Sequence, residues 1–335
     1  MKQEILKAGI IGFGKMGQIR MQCVDEHPNL QLKAICDQDL NKIRAYKDCF
    51  TTQDYKEVLA QDLDVVFVCC FNNAAPEIVI ESLRSGMHVF CEKPPGTCVE
   101  DVEQVISVEN EYPNLKLKYG FNHRYHYSVM EAKQMIDSGD FGEILWMRGV
   151  YGKCGGIMFE NSWRNQSDLA GGGILLDQGI HMVDLMRYFC GDFPTVKSTV
   201  KTCFWKIPHE DNAFAIMETA KGQVAILHSS ATQWKHHFSL EICLEEGYIN
   251  LEGILSSTRS YGEEKLVFAK KEFEDSASAF GKPKEQMIYF DRDDSWRLEV
   301  ESFVDSVLSN QTVTLGSSDD SLRVMETISR IYNNE

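Results

Sequence analysis

Apolar and polar positions along the chain follow two rhythms. In the first, short continuous apolar runs alternate with stretches of helical periodicity. Ala8-Gly9-Ile10-Ile11, Leu30–Cys36, Asp64–Cys70, Met87–Cys91 and Leu115–Phe121 read as strands. A run as uninterrupted as Val65-Val66-Phe67-Val68 is expected in a sheet covered on both faces. Between them the pattern predicts helices over about Leu40–Lys47 with Asp39 as cap, Tyr55–Ala60, Pro76–Ser85 with Gly86 as terminator, and Val99–Glu109. This alternation predicts a doubly wound parallel sheet over residues 1–121.

Beyond Phe121 the rhythm changes. A helix over Ser128–Asp137 precedes a strand at Ile144–Tyr151, a Gly-rich stretch, and a strongly apolar helix over Ile174–Cys190 that Gly191 ends. Successive strands then follow: Val196–Trp205, Asn212–Thr219, Gln223–Gln233, His237–Leu244 and Gly247–Leu251. Runs of strands after an alternating region imply a separate α+β domain with a large, mostly antiparallel sheet. The polar segment Lys270–Lys284 is expected as an exposed loop, and helices over Ser295–Ser309 and Asp319–Asn333 finish the chain. The expected domains are therefore 1–121 and 122–335, with the terminal helices over about 295–333 in the second.

Composition narrows the function classes. At 335 residues the chain exceeds the size at which a single core usually stops growing. A formal net charge of −16 argues against a general nucleic-acid or anionic-membrane binder, which needs clustered Lys and Arg. No apolar run reaches the roughly 18 residues that cross a bilayer, and the N-terminus runs directly into a strand, so a cytoplasmic protein without membrane partners is expected. The 11 cysteines are scattered, none in a Cys-x-x-Cys pair, and several lie in apolar strands. They read as reduced small hydrophobes rather than disulfides or a zinc site.

The first candidate chemistry is Gly12-Phe13-Gly14-Lys15-Met16-Gly17, placed between a strand and a potential helix. Glycines let the backbone approach a dinucleotide pyrophosphate, and the free N–H groups of the helix N-terminus face it. Asp37 ends the next strand, where an acid grips the adenosine ribose; this favours NAD over NADP, because a carboxylate repels a 2′-phosphate. The plain alternatives are a tight glycine turn and a strand-end turn residue.

Further candidates stand at element junctions. Lys93, in Cys91-Glu92-Lys93-Pro94-Pro95-Gly96, follows a strand whose carboxyl end faces the ligand crevice of such a sheet. Gly171-Gly172-Gly173 leads into a helix carrying Asp177 and His181, four apart and so on one face. A histidine suits movement of a hydroxyl proton near neutral pH, with a carboxylate beside it to orient ring or substrate. Asp184 is a rival partner, and a satisfied core histidine is the bland alternative. Two ligands without a third do not make a metal site. Phe121-Asn122-His123-Arg124 lies at the domain crossing, and Trp163-Arg164 offers a stacking surface and an anion contact. Arg124, Lys153 and Arg164 together suggest a basic pocket suited to a nucleotide sugar or sugar acid.

Taken together, the glycine fingerprint, Glu92-Lys93-Pro94, Phe121-Asn122-His123-Arg124 and the triple glycine leading to Asp177, His181 and Asp184 resemble the Gfo/Idh/MocA family, named for glucose-fructose oxidoreductase and inositol dehydrogenase. The resemblance spans almost the whole chain. It implies an N-terminal Rossmann domain, a C-terminal domain whose open sheet joins subunits into a homodimer or homotetramer, and NAD(P)-dependent oxidation or reduction of sugar, inositol or nucleotide-sugar hydroxyls. It further implies that Lys93, Asp177 and His181 are catalytic. Cys70, Asn72, Glu92 and Asn122 would join the fingerprint and Asp37 around the cofactor, and Arg124, Trp163 and Arg164 would join the catalytic set around substrate. The loop Cys70-Phe71-Asn72-Asn73 departs from the Thr-Pro-Asn and His that many relatives carry. A dinucleotide-bound sensor without activity, and a reductase of a non-sugar carbonyl or dihydrodiol, are the competing readings.

Overall fold

Six parallel strands build the first sheet of the computed structural model, which describes residues 4–256, 258–272 and 281–334. They are β1 (Leu6–Ile11), β2 (Leu30–Cys36), β3 (Phe50–Thr52), β4 (Val65–Val68), β5 (His88–Glu92) and β6 (Leu117–Gly120), in the order β3-β2-β1-β4-β5-β6. This is the Rossmann order, which reverses direction beside β1 and leaves a ligand crevice at the strand carboxyl ends. Strand β3 was not expected; three residues are too few for a periodic signal. The other strands lie within the expected runs, except that β1 begins two residues earlier, at Leu6, and β5 extends to Glu92.

The core of this unit holds Ile10, Val24, Ile35, Phe67 and Phe90 with Val300, Phe303 and Val304 from the helix Ser295–Leu308. Phe303 meets Phe67 and Phe90 edge-on, at centroid distances of 6.3 and 5.6 Å. The expected division is corrected here. Residues 296–325 and 166–171 cluster with 1–122, because the stripe Val300, Phe303, Val304 and Val307 finds its apolar partners under the parallel sheet.

The second unit comprises 123–165, 172–295 and 326–335. Its sheet contains β7 (Ile144–Gly152), β8 (Thr195–Lys201), β9 (Asn212–Glu218), β10 (Val224–Ser230), β11 (His237–Leu244), β12 (Gly247–Glu252), β13 (Glu264–Lys270) and β14 (Gln286–Phe290), in the order β14-β13-β12-β11-β7-β10-β9-β8. Among the described residues only the β7–β10 pair of this sheet is parallel. The strand expected to reach Trp205 stops at Lys201, because the Asp211 carboxylate takes the N–H groups of Cys203, Phe204 and Trp205 at 2.7, 2.7 and 2.9 Å. The helix expected over Ile174–Cys190 is interrupted by a π-helical turn at Leu175–Gly179 before continuing as Ile180–Cys190. Of the loop expected over Lys270–Lys284, residues 273–280 lie outside the described residues.

Candidate active site

In the first unit the fingerprint forms the turn between β1 and the helix Lys15–Glu26. Gly12 sits at φ +90°, and a Cβ there would lie 2.5 Å from the Cys69 carbonyl oxygen and 2.8 Å from the Cys70 nitrogen. The backbone therefore passes where no side chain fits. Gly14 is the N-cap, makes no side-chain cap bond and has open space where its Cβ would be; the first helical turn carries no acid. Phe13 is buried, Met16 and Gly17 are covered to different degrees, and Lys15 is exposed. Such an uncapped N-terminus, cleared of side chains, fits a dinucleotide pyrophosphate. Asp37, at the end of β2, accepts the Phe13 N–H at 2.7 Å and pairs with Lys42 at 3.1 Å. That bond fixes the carboxylate beside the turn.

Three residues expected around the cofactor make contacts within the chain. Glu92 is buried and accepts from Arg20 Nε at 2.6 Å, so its carboxylate joins β5 to the fingerprint helix. Asn72 is buried and donates to the Ala170 carbonyl at 2.8 Å, tying the loop after β4 to residues 166–171. Cys70 contributes its backbone to the wall that Gly12 approaches, while burial pushes its thiol up to about 12. Lys93 is half-buried at the end of β5, and Asn122 is buried at the start of a short 3₁₀ turn, Asn122–Tyr125.

In the second unit the π turn carries Asp177, whose two carboxylate oxygens are both engaged. Lys153 Nζ donates to Oδ2 at 2.7 Å, and Arg164 Nε to Oδ1 at 2.8 Å. Lys153 follows directly on β7, and Arg164 lies in the short turn Trp163–Asn165, with its guanidinium 4.6 Å over the Trp163 ring. His181, one turn on, is 6% exposed and stacks on His123 with centroids 3.8 Å apart and planes at 15°. His123 Nε2 shares a 3.1 Å hydrogen bond with the Tyr151 hydroxyl. Burial pushes the Tyr151 phenol up, so the hydroxyl stays protonated at neutral pH.

The expected trio of cations does not share one pocket wall. Arg124 is buried and makes a two-pronged pair with Asp184, at 2.9 Å from Nε and 2.7 Å from Nη2, beneath the Tyr188 ring. Asp184, the expected rival partner of His181, anchors Arg124 to the helix Ile180–Cys190. Lys153 and Arg164 are indeed together, but on Asp177.

Residues not anticipated as part of this cluster are Tyr151, His123, Gln178, Tyr261 and Glu210. Tyr261 donates weakly to Gln178 at 3.4 Å, and its ring meets Tyr151 at 5.3 Å. Burial, opposed by the hydrogen bond to Gln178, pushes its phenol up to about 12. Glu210 accepts from Gly173 N at 3.1 Å, Leu175 N at 2.9 Å and the Tyr332 hydroxyl at 2.9 Å, thereby fixing the start of the turn that presents Asp177. Residues separated by tens of positions leave no spacing signal; the inward alternation along β7 is the signal that could have pointed to Tyr151.

Comparison with known proteins gives matches over both halves. The pattern of an oxidoreductase family with an NAD-binding Rossmann fold matches residues 6–121, and that of the GFO/IDH/MocA C-terminal domain matches 129–250. The chain is 30% identical over 213 residues to D-glucoside 3-dehydrogenase of Escherichia coli, covering 62% of this chain and 60% of that protein. It is 23% identical over 291 residues to inositol 2-dehydrogenase of Salmonella typhimurium, covering 81% and 82%. A solved levoglucosan dehydrogenase in complex with NADH superposes with a TM-score of 0.86 at 21% identity, over 99% of this chain and 97% of that one.

Proposed function

We propose, from the premise that this chain belongs to the GFO/IDH/MocA oxidoreductase family with its NAD-binding Rossmann fold, that it interconverts a ring hydroxyl and a ketone on a sugar or polyol. The similarity to glucoside and inositol dehydrogenases supports that substrate class. Bound NAD supplies the hydride acceptor and, in reverse, NADH the donor. The remaining work falls to this chain's own residues. Gly12, Phe13, Gly14 and the N–H groups of the helix hold the pyrophosphate, and Asp37 holds the ribose and disfavours a 2′-phosphate.

His181 takes the hydroxyl proton as the carbinol becomes a ketone, and Lys93 stabilises the negative charge that develops on that oxygen. Asp177 does not act as the base. With a cation on each oxygen it is held in place, which suits orienting substrate hydroxyls. His123 stacks at 3.8 Å, so charge on both imidazoles would cost about 4 kcal/mol at an effective dielectric near 20. The stacked pair therefore takes up one proton per turnover. The observation that carries this reading is the fixed Asp177 one turn before a buried, stacked His181.

The chain is expected in the cytoplasm as a homodimer or homotetramer. Its eleven cysteines are free, no helix among the described residues is long and apolar enough to cross a membrane, and Trp146, Phe214, Ile216 and Ile226 are exposed on the second sheet. NAD reduction followed at 340 nm against a panel of sugars and inositols tests the reaction. His181→Ala and Lys93→Ala should each lower kcat by about 10²–10⁴-fold. Undiminished turnover in both variants would refute the assignment.

A further inference from the structure

We infer that Cys154, His236 and Ser260 of the second unit form a reactive-thiol site, distinct from the proton-transfer cluster, at which a small anionic disulfide exchanges with the Cys154 sulfur. The three residues meet where one strand ladder ends. Gly152 of β7 pairs with His237 of β11, so Cys154 lies two residues past one strand and His236 one residue before the other. Two backbone bonds pin this end: the Lys153 N–H donates to the Ser230 carbonyl at 2.8 Å, and the Gln233 N–H to the Lys153 carbonyl at 3.0 Å. Gly155 and Gly156 then turn the chain away at φ +74° and +120°, a region that favours glycine.

The arrangement is that of an activated nucleophile. His236 Nε2 lies 3.3 Å from Cys154 Sγ, and its Nδ1 lies 2.8 Å from Ser260 Oγ. Ser260 continues to Thr258 at 2.8 Å, and Thr258 to Ser256 at 3.2 Å, so the group that orients the imidazole is itself held. The Tyr261 ring packs on the imidazole with centroids 5.0 Å apart. Burial and the charge of Lys153 push His236 down, so its ring is neutral at pH 7 and able to accept a proton. With the ring proton on Nδ1 and donated to Ser260, the Nε2 lone pair faces the thiol. Nucleophile, base and a third group that fixes the base are the parts such a site requires.

Flanking charge selects the reagent. Each of the three residues directly follows a cation, Lys153, Lys235 or Arg259, in a chain of net charge −16. The acid closest in sequence to any of them is Glu263, three residues beyond Ser260, and Asp177 is already shared by Lys153 and Arg164. An anionic disulfide is therefore drawn to this sulfur more strongly than a neutral one. In the exchange His236 takes the Cys154 proton, and Sγ bonds to one sulfur of the reagent as its S–S bond breaks. The departing thiolate takes the proton; Cys154 is oxidised to a mixed disulfide and the leaving half is reduced to a thiol. The adduct stands one residue from the Lys153 that holds Asp177.

Timed labelling tests the site without reference to turnover. The reduced full-length protein is treated at pH 7 with the dianionic disulfide dithiobis(nitrobenzoate) or with neutral dithiodipyridine, and each labelled cysteine is identified by peptide mass spectrometry. Cys98 and Cys203 are internal standards, because both are exposed whereas Cys154 is half-buried. Burial and the adjacent Glu100 push the Cys98 thiol up, so Cys203 is the stricter comparison. A sulfur that hands its proton to a base loses part of its nucleophilicity, so Cys154 should outpace Cys203 by about three- to tenfold with the anionic reagent, and by less with the neutral one. His236→Ala should abolish that lead and leave the rates at Cys98 and Cys203 unchanged. His236→Gln, an amide of similar reach with no basic nitrogen, should do the same, and it decides the matter if circular dichroism shows the alanine variant unfolded. A standard that reacts as fast as Cys154, a lead that survives replacement of His236, or an equal lead with both disulfides would overturn the inference.

Discussion

Replacing Glu299 with glutamine should make the protein's stability less dependent on pH between 5 and 8, and the size of the effect follows from the surroundings of Arg20. That guanidinium lies between Glu92 and Glu299, 2.6 Å from each, and over the rings of Phe90 and Trp296 at 4.2 and 4.9 Å. One cation serves two buried carboxylates. Burial pushes Glu299 up, Arg20 opposes that, and Glu92 adds to it, leaving the carboxyl at about 7 against an ordinary 4.5. Its Oε1 has no hydrogen-bond partner among the described residues, as suits a group that holds a proton. Because the folded value is raised, the folded state binds more protons than the unfolded state between these limits, so stability falls as pH rises. At about 1.4 kcal/mol per unit, this one group costs about 3 kcal/mol by pH 8. Glutamine is neutral at every pH and similar in shape. Urea unfolding of wild type and Glu299→Gln at pH 5, 6, 7 and 8 should show the variant gaining relative to wild type by about 3 kcal/mol from the lowest to the highest pH. Titrations of groups outside the Arg20–Glu92–Glu299 cluster are common to both proteins and cancel in the difference. Parallel profiles would refute the reasoning.

Three further outcomes are expected. Gly12→Ala should destabilise by about 1–3 kcal/mol from backbone strain alone and weaken NADH binding, read by thermal unfolding and NADH fluorescence; unchanged affinity would remove the turn from the cofactor site. Asp37→Ala removes the acceptor of the Phe13 N–H and leaves Lys42 facing the vacated position, so the ratio of kcat/KM for NAD to that for NADP should fall more than tenfold; a constant ratio would contradict the role given to Asp37. Glu264 is buried, but hydrogen bonds from His126, Leu255 N–H and Ser128 outweigh that burial and hold it below the ordinary carboxylate range. Its stabilisation is present above the unfolded value and is lost as pH falls through the folded one, so Glu264→Gln should cost about 3–5 kcal/mol at pH 7 and flatten the acid limb of unfolding.

The fold was legible where one residue type dictates backbone or burial. Gly12 announced the turn because no other residue tolerates that approach, and Val65–Val68 announced a doubly covered strand because no polar residue interrupts it. Element boundaries were less legible where a distant side chain decides them. Nothing local in Thr202–Trp205 says that the strand ends at Lys201; Asp211 ends it by taking the N–H groups that would have continued the ladder. The helix Ser295–Leu308 shows the same limit at domain scale. Its apolar stripe was plain, but amphipathicity says that a face is buried and not under which sheet.

The site followed this division, and Asp177 shows why. Spacing alone made it a neighbour of His181 on one helical face and hence an orienting partner for the imidazole. Lys153 and Arg164 come from a strand end and a short turn that no spacing connects to it, and they change the chemistry of the carboxylate. Paired with two cations, Asp177 is poorly placed to take a proton, because protonation would leave both without their counter-charge. In the proposed reaction the His181–His123 stack, supported by Tyr151, is therefore the group that would exchange the proton, and the clamp the group that would orient the substrate. On that proposal, two residues read from the sequence as one acid–base pair would divide the work because of charges that only the fold brings to Asp177.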